Sequence, residues 1–166
     1  MIVRAGFFML EYMICVALCA LCLYYGAHMW QSLDRLAVRT ELDVLAAHCT
    51  CMQQEAWAKA QPHVIQFDTY THTYTCDGSS FALASPVIFG YIPALKGPPG
   101  SPHAPITDPI TFVGHHMTSA RQGILQAGTI YLTNKNHTCQ YALSNAVGAF
   151  SYMRKYVYSN GWKHIC

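Results

Sequence analysis

Residues 7–30, FFMLEYMICVALCALCLYYGAHMW, form an apolar run that contains one acid, Glu11, and one histidine, His28. A helix of about 24 residues rises roughly 36 Å at about 1.5 Å per residue, enough to cross a hydrocarbon core of about 30 Å. The run therefore predicts a transmembrane helix segment over 7–30. The leader before it is short and carries one positive charge, Arg4, which places the N-terminus in the cytoplasm and everything after Trp30 outside. The residues that follow, AHMWQSLDRLAVRTELD, offer no small-x-small cleavage site of the secretory type, so the segment is expected to stay attached. Glu11 is the anomaly. A charged residue at the middle of an inserted helix costs on the order of 2.5–3.5 kcal/mol, and less near its end.

The 166-residue chain has room for one membrane segment and one small domain. No glycine or proline interrupts residues 31–60, where apolar side chains recur at Leu33, Leu36, Leu42, Leu45, Cys49, Met52, Ala56 and Trp57 and charges fill the gaps at Asp34, Arg35, Arg39, Glu41 and Asp43. This spacing predicts an amphipathic helix over 31–61 that continues the membrane run and stops at Pro62. From 62 to 166 the chain turns β-rich, with strands expected near 63–68, 70–76, 79–84, 110–113, 128–133, 139–144 and 147–153. Asp77-Gly78 reads as a hairpin turn, and residues 94–109 as a proline- and glycine-rich loop. The expected fold class is α+β: a long N-terminal helix, its first half membrane-spanning and its second half amphipathic, packed on an antiparallel β-sheet.

Gly6, Phe7 and Glu11, followed by the unbroken apolar run, resemble the class III signal of type IV prepilins and pseudopilins. That resemblance implies a leader at 1–6, cleavage between Gly6 and Phe7 on the cytoplasmic side, N-methylation of the new amine at Phe7, and an assembly role for Glu11. A carboxylate in hydrocarbon offsets its desolvation only when it finds a partner. In the resembling family the partner is thought to be the α-ammonium of a neighbouring subunit. Residues 110–155, with ITF, GTIYL and YALSNAVG, independently resemble the GspH/FimT-type minor pseudopilin domain, which implies a pilin-like fold with 62–166 as its extracytoplasmic part. The membrane run lacks the proline that many major pilins carry.

No converging nucleophile, base or metal set is read from the sequence, so neither catalytic residues, metal nor cofactor is expected. His115 and His116 are adjacent, and on a regular strand adjacent residues point to opposite faces, so one metal would rarely bind both. Cys49 and Cys51 lie two apart on a helix and do not face each other. Of eight cysteines, Cys15, Cys19 and Cys22 fall on one membrane stripe and five lie outside it: Cys49, Cys51, Cys76, Cys139 and Cys166. Cys139–Cys166 is the first choice for a disulfide, with Cys76 as competitor. After Asp108 the chain has five basic residues and no acid. There Arg154, Lys155 and Lys163 are interleaved with Tyr152, Tyr156, Tyr158 and Trp162, either as a nucleic-acid contact or as a solvated strand pair with ordinary core aromatics.

The expectation drawn from the resemblance is a structural minor pseudopilin or minor pilin, not an enzyme, in a type II secretion pseudopilus or type IV pilus-like filament. It would be a single-pass protein of the bacterial inner membrane. Its partners would be other pilins or pseudopilins, a prepilin peptidase, the inner-membrane assembly platform and membrane lipid. The alternatives are a DNA-binding minor pilin at a filament tip, with nucleic acid as partner, and a signal-anchored domain that never polymerises.

Overall fold

A computed structural model describes residues 3–92, 95–99, 110–113, 123–124, 128–145 and 153–166; of 3–7, 111–113 and 123–124 it describes the backbone alone. The chain divides into two compact units, Met1–Leu33 and Asp34–Cys166. One helix, α1 (Val3–Lys59), supplies the described part of the first and opens the second. The uninterrupted helix agrees with the absence of a breaker before Pro62. It ends where Ala60 takes a left-handed backbone (φ 51) ahead of that proline.

The second unit is α+β, as expected, but it holds two antiparallel five-stranded sheets rather than one. Among the described residues ten strands follow α1: β1 (His63–Asp68), β2 (Thr73–Cys76), β3 (Ser79–Ala82), β4 (Val87–Phe89), β5 (Ile110–Val113), β6 (Gly123–Ile124), β7 (Gly128–Asn134), β8 (Gln140–Asn145), β9 (Met153–Tyr158) and β10 (Trp162–Ile165). The first sheet has the order β3-β2-β1-β5-β6 and the second β10-β9-β8-β7-β4. The β2–β3 hairpin turns on Asp77 (φ 46) and Gly78 (φ 87), between the paired residues Cys76 and Ser79. Positive φ at both turn residues suits the right-handed twist of the strands, which is what Asp-Gly signals.

Some boundaries differ from expectation. Residues 69–72 form a turn rather than the start of β2, because the Asp68 carboxylate accepts the backbone N–H groups of Tyr70 (2.9 Å) and Thr71 (3.1 Å). Strands β4, β6 and β10 were not expected; they have two to four residues each, too short for alternation to register. The expected strand 147–153 lies outside the described residues except at Met153, where β9 begins. The loop 94–109 is described only at 95–99.

The core of the second unit forms where one face of α1 meets strands of both sheets. Val38, Leu42, Leu45, Cys49 and Ala56 are fully buried with Ile65, Phe67, Tyr74, Cys76, Phe89, Ile110, Ile130, Leu132 and Leu143. The buried helix stripe thus runs through 38, 42, 45, 49 and 56. Leu33, Leu36 and Trp57, counted in the apolar stripe by spacing, are exposed, whereas Asp34, counted among the solvated charges, is buried. Asp34 lies four residues before Val38, on the same face. The Asn134 side-chain N–H donates to its carboxylate (2.9 Å) and to Thr138 Oγ1 (2.8 Å), while Asn134 Oδ1 accepts the Thr138 N–H (2.8 Å). Burial of that charge is made tolerable by a dedicated donor.

The second sheet is covered on both faces: every residue of β7 and β8 is buried. On the face away from the main core, Tyr131, Ala142 and Tyr156 form a second cluster with Trp162 packed against it. The chain after β4 is tied to this sheet by Gln140, which donates to the Gly90 carbonyl (3.0 Å) and accepts the Ile92 N–H (3.0 Å). The Trp162 indole N–H donates to the Lys96 carbonyl.

Candidate functional site

Among its described side chains the first unit has none buried. From Phe8 to Leu33 every side chain is exposed, including Phe8 (77 %), Leu23 (74 %) and Met29 (69 %). It is the one helix among the described residues that is long and apolar enough to cross a membrane. Glu11 is exposed on it, one helical turn beyond Phe7. Gly6 and Phe7 have helical backbone, and their side chains lie outside the described residues. Cys15, Cys19 and Cys22 are free thiols on the exposed surface of this helix. A helix apolar on all sides needs lipid or other helices around it.

The basic C-terminal residues are divided between the two faces of the second sheet. Register aligns Lys155 with Ile165 and Leu143, and Tyr156 with His164 and Ala142. Lys155 and Lys163 therefore belong to the face that carries Leu143 and Ile165, and Arg154 to the opposite one, because successive residues alternate. Lys155 donates to Asp43 Oδ1 on α1 (2.8 Å), a helix-to-sheet ion pair. Of the aromatics expected as stacking platforms, Tyr152 lies outside the described residues, Tyr156 is buried beside His164, and Trp162 lies between Tyr131 and Tyr158. This arrangement is that of a packed strand pair, with basic residues on both of its faces.

The Cys139–Cys166 pairing is corrected by the same register. Ile165 stands opposite Lys155 and Lys155 opposite Leu143, so Cys166 lies near the Leu143–Ser144 end of β8 and Cys139 beyond its other end. Four or more residues along the strand and two strand spacings across put the two Cα atoms roughly 16 Å apart, against a limit of about 7 Å for a disulfide. All eight cysteines are free. Cys49, Cys76 and Cys139 are buried, and Cys51 and Cys166 are exposed.

A cluster not anticipated from the sequence sits where α1 ends and the first sheet begins. Glu55 on the last turns of α1, His63 at the start of β1 and Asp77 in the β2–β3 turn each place one ligand atom within 4.8 Å of the others. The His63 Nδ1 contacts Asp77 Oδ2, and Asp77 Oδ1 accepts the Val64 N–H (3.3 Å). Burial would raise the Asp77 carboxyl, but these hydrogen bonds outweigh it and hold the group below its usual range. Glu55 is held low by its hydrogen bond from Lys59 Nζ (2.7 Å), and Cys51 Sγ lies 3.8 Å from the other Glu55 oxygen. The three ligands come from separate elements 8 to 22 residues apart, so no short motif marks them. The Asp-Gly turn, which swings Asp77 back toward β1, was the legible part.

No family model, curated protein or solved structure matches the chain.

Proposed function

We propose that this chain is a minor pseudopilin or minor pilin: a structural subunit, not an enzyme, that is cleaved after Gly6 and enters a membrane-rooted filament through its N-terminal helix. The observation that carries the reading is the spacing of Gly6, Phe7 and Glu11 at the head of an uninterrupted, fully exposed apolar helix. The α+β second unit, whose helix face packs on antiparallel sheet, is compatible with the pilin-like domain that the 110–155 resemblance implies. Glu11 acts as a register device: a subunit settles where its carboxylate meets a neighbour's α-ammonium, and leaving either charge alone in lipid is costly.

Two substitutions separate processing from assembly. Intact-mass analysis of the membrane fraction is expected to find a mature chain beginning at Phe7 with a methylated amine, and Gly6→Leu is expected to block the cut. Glu11→Ala should leave cleavage largely unchanged, since Glu11 lies beyond the scissile bond, and reduce co-purification with other pilins. A chain that still begins at Met1 with the peptidase present would falsify the reading. Wild-type co-purification of Glu11→Ala would favour a simple membrane anchor.

A further inference from the structure

We propose that Glu55, His63 and Asp77 form a binding site for a divalent transition-metal ion of the zinc class, linking the end of α1 to the first sheet. One nitrogen and two carboxylate oxygens, each within 4.8 Å of the others, are a donor set that zinc accepts, with water completing the shell.

The histidine already faces one of the two carboxylates. His63 is buried (7 % exposed), and its Nδ1 is engaged by Asp77. Its Nε2 is shielded from solvent and has no hydrogen-bond partner among the described residues. An ion shared with Asp77 must sit on Nδ1, the ring nitrogen that faces the carboxylate, because Nε2 lies on the far side of the ring. A neutral imidazole with its proton on Nε2 is the form that ligates a metal there, and the ion takes the place of the proton between His63 and Asp77. The carboxylates differ in freedom. Asp77 is fixed by the turn and by the Val64 N–H, whereas Glu55 is a long, half-exposed side chain whose other partner is the Lys59 ammonium.

Metal–ligand bonds of about 2.0–2.2 Å require ligand atoms roughly 3.4 Å apart, so Glu55 must close on the other two by up to about 1.5 Å while the His63–Asp77 contact opens to admit the ion. Glu55 can supply that movement by rotating away from Lys59. The ammonium is then a competitor for the carboxylate, and removing it should favour the ion.

The test uses the full chain purified in detergent micelles and titrated with zinc by calorimetry. One zinc per chain is expected. Asp77→Asn and Glu55→Gln are each expected to weaken binding about tenfold or more, and Lys59→Gln to tighten it about twofold, the scale of an exposed ion pair. Both ligand variants should fold, because asparagine tolerates the left-handed backbone at residue 77 and the Glu55 pair is exposed; circular dichroism verifies this. Zinc binding that survives both ligand variants at parental affinity belongs to the exposed thiols and overturns the proposal. So does an absence of saturable binding to the parent chain, or weaker binding by Lys59→Gln.

Discussion

Each of the five cysteines outside the apolar run has its reactivity set by its surroundings. Burial drives the Cys49 thiol well above its ordinary value, and burial, then the neighbouring Asp77 charge, pushes Cys76 up to about 11. Cys139 is raised by burial as well. Thiolate is the reactive form, so these three should resist alkylation at neutral pH while the exposed Cys51 and Cys166 react. Peptide mapping after maleimide treatment, with and without denaturant, reads this directly; equal labelling of Cys76 and Cys51 in the native protein would contradict the packing of β2. Asp68 gives a pH signature. Hydrogen bonds from Thr71, then from the Tyr70 backbone, hold its carboxyl below the usual value. The folded chain therefore binds fewer protons there than the unfolded one. The resulting stability is complete above the unfolded pKa of about 3.9 and is lost as pH falls through the folded value. In Asp68→Asn, whose amide oxygen can still accept both N–H groups, the acid limb of a stability-versus-pH curve should be shallower.

At the scale of the element, α1 has one face that holds the second unit together. Leu45→Ala removes a fully buried side chain and should destabilise by about 2–5 kcal/mol. Leu36→Ala, at a position 59 % exposed, should stay within about 0.5 kcal/mol. Denaturant unfolding of both variants checks the stripe, and a comparable loss at Leu36 would return it to the core. The helix itself was legible because no breaker interrupts it, and Leu42, Leu45, Cys49 and Ala56 were legible from their spacing. The stripe's other end was not. Spacing takes every apolar residue as a vote, so Leu33 and Leu36 displaced Val38, and a carboxylate at position 34 was assigned to solvent. What buries Asp34 is an amide from Asn134, a hundred residues away, and local pattern carries no trace of it.

For the whole molecule, the same contrast decides what could be read. The existence of β1, β2, β3, β5, β7 and β8 was legible from β-branched and aromatic runs, whereas partition into two sheets was not, because it depends on which distant strands pair. The Glu55–His63–Asp77 cluster was hidden for the same reason, since its members come from separate elements, whereas the division of Arg154 from Lys155 follows from alternation once both lie on one strand. The strand pairing has a kinetic consequence. The chain builds β1 to β3 in one sheet, gives β4 to the other, returns for β5 and β6, then completes the second with β7 to β10. β1 pairs with β5 through His63 and Phe112, and β4 with β7 through Val87 and Asn134, so neither sheet can be finished from a contiguous stretch of chain. Such long-range pairings require loop closure before contacts compensate it, and they fold slowly. The second unit should thus pass through a long-lived interval in which β1 and β7 each present an unpaired edge, and in that interval it is most open to capture by a chaperone or by another unfinished chain.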